Sequence, residues 1–278
     1  MWRRPFAEIP KSRLAVRAWR LALFALLATL LSIIILRLDL LEIVPAMATF
    51  AAALGCALLA FLLAFASFVP IWREGLGGLR YALGALLIAI LLLTYPAYLG
   101  TRALQLPQIN DITTDTSDPP RFGVLARLRP RGTDEYPGPA AAALQQQAYP
   151  DIVPLEVSAS AAATFDVALK LAERRKWRVV SEQEPAPQRN GILEAVARTP
   201  IMGFRDDVVI RITAIGPNAA RVDVRSASRY GSHDFGTNAA RVRKLLDDID
   251  DAVASLPERK REPKMPQPTK RPAPSAKR

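Results

Sequence analysis

Three long uncharged stretches in the first hundred residues constrain this chain more than any other feature. They cover 16 residues after Arg20, 30 residues after Glu42 and 21 residues after Arg80. A helix needs roughly 17–25 mostly apolar residues to cross the hydrocarbon core of a bilayer. The arginines that flank the shortest stretch can extend their side chains toward the head groups. The sequence therefore predicts a region of three transmembrane helices at residues 21–101.

The lysines and arginines beside these stretches predict an orientation. Residues 1–20 form a basic arm with six Lys and Arg, and Arg73 and Arg80 lie in the second short loop. The other side has only Arg37 and Arg102 close to the membrane. The positive-inside rule places the arm in the cytoplasm and everything after the third stretch outside it. Because no small-x-small cleavage site follows the first stretch, we expect a retained helix and not a removed signal peptide.

The formal net charge of +11 is concentrated at the two ends of the chain. Residues 1–20 contribute +5 and residues 257–278 contribute +6, so residues 21–256 are neutral overall. A nucleic-acid-binding domain would carry such a charge on its fold, so we expect no nucleic-acid partner. The tail at 257–278 has six prolines in 22 residues and is predicted to be disordered. Its charge could attach it to anionic lipid head groups or wall polymers.

Cysteine and carboxylate usage argues against a metal or redox site. Cys56 is the only cysteine and lies in the second uncharged stretch, so the exported part can form no disulfide, zinc cluster or cysteine nucleophile. Asp111, Asp115 and Asp118 could together hold calcium, but the segment lacks the glycine and terminal glutamate of an EF-hand loop. Such residues before proline more often form turns. We therefore predict no metal and no cofactor.

The remaining chain divides into a connector and a folded domain. Residues 102–150 are rich in Pro, Asp and Thr and are predicted to be an extended connector that links or wraps the fold. Residues 151–256 show the order strand, helix, four strands, helix. The predicted strands cover residues 152–158, 177–183, 192–199, 208–215 and 221–229. The predicted helices cover residues 161–176 and 238–256.

The pattern of the last elements predicts an α+β fold. In the strand at 208–215 alternate residues are apolar, and in the last strand Arg221, Asp223 and Arg225 point away from its apolar face. The final helix carries an apolar stripe that can cover the sheet. Short hairpin connections indicate an antiparallel sheet with two helices on one face. The other, partly polar face could be solvated, covered by the connector or paired with another protein.

The segment at 225–253 holds the predicted binding residues. Two arginines share one strand face, and a helix begins shortly after them with free N–H groups at its first turn, an arrangement that binds anions. The candidate ligand- or anion-binding residues are Arg225, Arg229, Asp234, Asn238 and Arg241.

A structural alternative explains the same segment without a ligand. It consists of a glycine turn and a capped helix, with Asp234 paired to an arginine. Local pairs of Arg243 with Asp247 and of Lys244 with Asp248 would then offset the reversed charge polarity of the helix.

Two catalytic interpretations of the segment are weaker. The adjacent residues Ser232, His233 and Asp234 cannot converge on one point as a nucleophile, base and acid must. Ser226 or Ser228 could combine with His233 and Asp118, but there is no G-x-S-x-G elbow. His233 and Asp234 alone are a poor metal site. The sequence assigns no catalytic residue and favours a protein that is not an enzyme.

Three segments resemble the bacterial DUF1499 family. They are "DITTDTSDPPRF" at 111–122, "PDIVPLEV" at 150–157 and "VDVRSASRYGSHDFGTNAARVRKLLDDI" at 222–249. The resemblance covers roughly residues 107–256. It implies N-terminal membrane helices followed by this domain, in a bacterial envelope, and it implies no reaction. The family motif marks Asp118, Pro119, Arg225, Ser226, Ser228, Arg229, Gly231, Asp234, Gly236, Asn238 and Arg241.

These observations predict a multi-pass protein of the bacterial inner membrane with a periplasmic domain. The order of elements is also similar to TATA-binding-protein-like and helix-grip folds, which often enclose apolar ligands. We therefore expect the domain to bind a lipid-like, amphiphilic or anionic ligand between its final helix and its sheet. The expected partners are membrane lipids, together with an anionic amphiphile or an envelope protein. The alternatives are a scaffold that recruits envelope proteins through the polar sheet face and the tail, and a hydrolase with a nonstandard site.

Overall fold

The computed structural model of the protein describes residues 9–257, which form two compact units. Within the described residues, the first unit consists of residues 9–108 with Thr199–Phe204, and the second of Ile109–Arg198 with residues 205–257. The tail at 257–278, which the sequence predicts to be disordered, lies outside the described residues except for residue 257. Helices make up the first unit, and a sheet with its covering elements makes up the second.

The first unit confirms the three predicted spans. Its helices are α1 (Arg13–Arg37), α2 (Ile43–Ala66), α3 (Phe68–Arg73) and α4 (Leu79–Gln105). Three stretches are long and apolar enough to cross a membrane, namely α1, α2 together with α3, and α4. Helix α1 starts inside the predicted basic arm, where the Ser12 hydroxyl accepts a hydrogen bond from the N–H of Ala15. These three candidate spans indicate a multi-pass membrane protein.

Small residues let these helices approach each other closely. The buried positions of α1, α2 and α4 are nearly all alanines, with a core of Ala18, Ala22, Ala60, Ala64 and Ala85. Gly84 faces Trp19, and a Cβ atom at Gly84 would lie 2.5 Å from the indole ring. Lipid tails offer no hydrophobic drive between helices, so close van der Waals packing of this kind stabilises the bundle.

The second unit contains one antiparallel sheet of six strands. The strands are β1 (Asp111–Thr113), β2 (Leu155–Val157), β3 (Arg178–Gln183), β4 (Gly191–Arg198), β5 (Arg205–Gly216) and β6 (Ala219–Ser228). Their order is β1-β6-β5-β4-β3, and β2 also pairs with β6. The predicted meander of the last four strands and the α+β class are confirmed. Helices α6 (Ala161–Arg174) and α7 (Thr237–Ala254) also lie where the sequence predicted them.

The connector is more ordered than its composition suggests. It contributes β1 as a sixth strand, a short 3-10 helix at Leu125–Leu128 and helix α5 (Pro139–Ala148). Strand β1 is only three residues long, which is too short to show an alternating pattern. It forms because β6 offers an open edge, on which Ile112 faces Ser226.

Both faces of the sheet are covered. Helices α6 and α7 pack on one face, where Val242, Leu245 and Ile249 of α7 and strand residues such as Ile210 and Val224 are fully buried. The final helix and the sheet are thus joined by a filled core. The connector covers the polar face, and an apolar cluster of Phe122, Leu125, Val196, Val209 and Ala227 holds it there.

Candidate functional site

A buried ion pair lies at the centre of the connector-covered face. Arg225 is only 1% exposed, and its guanidinium donates to the Asp111 carboxylate from Nε (3.0 Å to Oδ1) and Nη2 (2.7 Å to Oδ2). It also donates to the carbonyls of Pro120 and Asp134 and lies 4.4 Å from the ring centroid of Phe122. Burial raises the pKa of Asp111, while its hydrogen bonds with Arg225 act in the opposite direction. This pair ties β1 and the connector to β6.

Asp207 of β5 binds two arginines. Arg229 donates to it from Nε and Nη2, and Arg129 of the connector donates from Nη1 at 2.9 Å. All three side chains are at most 3% exposed. Arg129 also donates to the carbonyls of Ala227 and Ser228, where β6 ends. The connector is therefore fixed to the sheet at a second point.

A third cluster of charges lies around Asp223 of β6. Arg211 and Arg221 both donate to its buried carboxylate. Arg221 also binds Asp115, and Arg211 binds Asp118 at 2.7 Å. Burial acts to raise the pKa of Asp115, but the N–H groups of Asp118 and Ser117 and the two arginines together lower it.

The sequence predicted an anion site at the N-terminus of α7. In the structure the carboxylate of Asp234 lies at this position. Asp234 accepts hydrogen bonds from the N–H groups of Gly236 and Asn238, at 2.9 and 2.6 Å. Burial raises the pKa of Asp234 against the effect of these hydrogen bonds. Gly236 adopts a φ of 80°, a conformation that favours glycine and turns the chain into α7.

The other predicted residues of this segment form a polar network between α7 and β6. The Asn238 amide donates to the Asn110 carbonyl and the Ser228 hydroxyl, and its oxygen accepts from Ser226. Arg241 donates to Ser226, to Asn238 and to the buried carboxylate of Asp206.

The structure gives each of the five predicted binding residues a partner within the domain. An anion at Arg225, Arg229 or Arg241 would compete with the carboxylate that each arginine already binds. Their role in ligand binding stays a prediction. The expected pairing of Arg243 with Asp247 is wrong, because Arg243 binds Asp151.

Lys244 likewise does not pair with Asp248. That carboxylate binds Arg175, which follows α6. Arg241, Arg243 and Asp248 of α7 therefore form their ion pairs with neighbouring elements and not with residues along the helix.

The residues considered for a catalytic triad bind other partners. Ser228 donates to Asp206 at 2.7 Å, and Ser226 donates to Asn238. The Nδ1 atom of His233 accepts the N–H of Phe235, and the two rings stack at 4.7 Å. The described residues contain no cluster of three His, Cys, Asp or Glu side chains that could hold a metal ion. Asp111, Asp115 and Asp118 each bind a different arginine.

An open groove of about 690 Å³ lies between the connector and the outer half of the sheet. Its floor consists of Ser181, Gln183, Ile192, Glu194 and Arg211. Its wall is the connector from Asp118 to Arg127. Arg121 and Arg127 are exposed on this wall, and no acidic partner for either occurs among residues 9–257. Phe122, Val124 and Ile192 add apolar surface to the groove.

Glu194 fixes the wall of this groove. Its carboxylate is 2% exposed and accepts the N–H groups of Gly123 (2.6 Å) and Val124 (2.7 Å). None of the motifs in the sequence includes Glu194, Arg121 or Arg127 as a predicted site residue. A glutamate inside the apolar strand "ILEAVA" is a signal for a buried acid with a specific partner. The two arginines carry no comparable signal, since exposed arginines are common.

The chain has three candidate membrane spans, followed by a sheet with helices on one face and the connector on the other. This arrangement defines a class, the multi-pass membrane proteins with one α+β domain. The family profile described as "Protein of unknown function (DUF1499)" matches residues 111–249, which is half of the chain. The chain belongs to the DUF1499 family, as its motifs indicated. A search of curated proteins finds no match.

Proposed function

We propose that this protein is a membrane-anchored binding protein whose domain holds an anionic amphiphile, such as a lipid, in the groove beside the connector. The observation that carries the proposal is the pair of arginines on the groove wall. Arg121 and Arg127 face open space, whereas the arginines of the 225–241 segment bind carboxylates of the domain. An unpaired guanidinium at a concave surface favours carboxylate or phosphate groups.

The shape and lining of the groove support an amphiphile over a free anion. Ligand sites are commonly concave spaces of about 300–1,000 Å³ that combine apolar walls with a few polar groups, and 690 Å³ falls in this range. Ile192 and Val124 offer apolar contact beside the arginines. The filled core between α7 and the sheet speaks against the ligand position that the sequence suggested.

The groove is proposed to work outside the cytoplasm. Six Lys and Arg in residues 1–20 favour a cytoplasmic N-terminus, and three candidate spans would then favour a domain on the opposite side. With the family resemblance, this favours a bacterial inner-membrane protein with a periplasmic domain. Its ligand would then be an envelope component.

Native mass spectrometry of the full-length chain, gently extracted from its own membranes, tests this proposal. We expect a bound anionic amphiphile, and we expect Ser181→Trp to remove it because an indole on the groove floor fills the ligand space. Tryptophan is well tolerated in strands. Ser158→Trp makes the same change at an exposed position outside the groove and should retain the ligand. A ligand-free wild type, or retention in Ser181→Trp, would refute the groove as the binding site.

The filled core also favours a second function, a scaffold that recruits an envelope protein. The sequence pattern favoured the polar sheet face as the surface for such a partner, but the connector covers that face through Phe122 and Leu125. A partner would therefore contact the connector itself. Recovery of one stoichiometric protein in the same experiment, without a small molecule, would favour the scaffold. A hydrolase finds less support, because the serines and His233 bind separate partners.

A further inference from the structure

One segment of the connector is strongly basic and firmly held. Residues 121–131, "RFGVLARLRPR", contain four arginines and no acidic residue; we call them the basic segment. Phe122, Leu125 and Arg129 are buried, and Arg129 donates to Asp207 and to two β6 carbonyls. Because these inward contacts fix the segment, its outward side chains form a defined surface.

The outward side of the basic segment combines cations with aliphatic groups. Arg121, Arg127 and Arg131 are exposed, and none of them has an ion-pair partner in the part of the chain that the structure describes. Val124 and Leu128 between them are each 46% exposed. Segments that lie at a membrane surface show this combination, with basic side chains at the head groups and aliphatic groups at the acyl boundary. Each basic residue near an anionic surface contributes about fivefold in affinity.

Chain connectivity keeps the domain close to a bilayer. Helix α4 ends at Gln105 and β1 begins at Asp111. The residues between them can span at most about 20 Å even when fully extended. The field of an anionic membrane acts over a Debye length of about 8–10 Å. A surface on this domain therefore meets the membrane at a high effective concentration, so that even a weak contact is populated.

We propose that the basic segment docks on the anionic lipid surface of the membrane that anchors the chain. This interaction goes beyond the groove, because Leu128 and Arg131 do not line it, although Arg121, Val124 and Arg127 belong to both surfaces. Arginine guanidinium groups bind lipid phosphates, and Val124 and Leu128 insert between head groups. The contact would hold the domain against the bilayer and bring the groove wall to the lipid surface.

Hydrogen exchange of the full-length protein in nanodiscs tests this docking. Amides of residues 121–131 are followed in discs of phosphatidylcholine alone and in discs that also contain phosphatidylglycerol. We expect exchange at least about fivefold slower in the anionic discs, and we expect high salt to abolish the difference. Equal exchange in the two lipids would overturn the proposal.

Variants separate the surface contact from other causes. Arg127→Glu with Arg131→Glu should remove the lipid-dependent protection. Lys170→Glu with Arg174→Glu makes the same charge change on exposed α6 positions and should keep it. Ser181→Trp should also keep it, because this change blocks only the groove. Protection that survives the arginine reversal, or that disappears in Ser181→Trp, would contradict docking by the basic segment.

Discussion

Removal of the Arg225 side chain should destabilise the domain far more than removal of an exposed arginine. In Arg225→Met the Asp111 carboxylate, which is 4% exposed, loses its hydrogen bonds from the guanidinium. The carbonyls of Pro120 and Asp134 lose their donors as well. Breaking a buried ion pair from one side typically costs about 3–5 kcal/mol, because a buried charge is left without compensation.

The exposed pair of Arg243 and Asp151 provides the matched control. Their side chains are 38% and 55% exposed, and such surface pairs contribute at most about 1 kcal/mol. Arg243→Met should therefore change stability little. The double variant Arg225→Met with Asp111→Asn removes both charges and should recover part of the loss, since the carboxylate no longer needs a partner.

Hydrogen exchange of β5 and β6 amides in the full-length chain measures these differences. Since 1.4 kcal/mol corresponds to a tenfold change in an opening equilibrium, Arg225→Met should accelerate exchange roughly 150- to 4,000-fold. Arg243→Met should accelerate it by about fivefold or less. If the two single variants behaved alike, the reasoning that Arg225 stabilises the fold through Asp111 would be refuted. The same result would return Arg225 to the candidates for a ligand contact.

Three further predictions concern the pH dependence, the bundle and the orientation. The pKa of Asp115 is lowered in the folded state, so its stabilising effect is present above its ordinary pKa and is lost as the pH falls through the lowered value. Asp115→Asn should therefore accelerate exchange of β6 amides at neutral pH and lose this effect in acid; an effect independent of pH would contradict the ion-pair account. Gly84→Leu should lower the thermal unfolding midpoint of the bundle in detergent, because a Cβ atom would overlap Trp19. Gly100→Leu should be neutral, because nothing lies within 4 Å of a Cβ atom at that position. Equal effects of the two changes would exclude tight packing at Gly84. A reporter fused after residue 256 should be active only outside the cytoplasm, and a cytoplasmic signal would overturn the proposed topology.

Local sequence patterns predicted the elements that bury an apolar stripe or face. Strand β5 and helix α7 each bury one side, so apolar residues recur in their sequences at the period of a strand or a helix. Strand β1 has only three residues, which is too short for such a pattern. It is a strand because it pairs with the edge of β6, where Ile112 lies opposite Ser226. Local pattern and long-range pairing thus account for different parts of the same sheet.

Charge partners could not be predicted because they depend on the register of distant strands. Arg225 and Asp111 are 114 residues apart in the chain, and only the pairing of β1 with β6 brings them together. The reversed charge polarity of α7 was visible in the sequence, but its explanation was not. Asp234 occupies the helix start, and Asp206 binds Arg241. The groove likewise joins two segments that are far apart in the chain, so no local motif announces it.

The central claim is that the groove binds an anionic amphiphile. Photo-crosslinking in native membranes tests this claim most directly. A photoreactive residue replaces Gln183 on the groove floor, and in a control chain it replaces Ser158, which lies outside the groove. We predict that mass spectrometry of the irradiated full-length protein finds an anionic amphiphile attached at position 183 and none at position 158. No adduct at 183, or an adduct with a protein instead, would contradict the ligand-binding account, and the protein adduct would favour the scaffold.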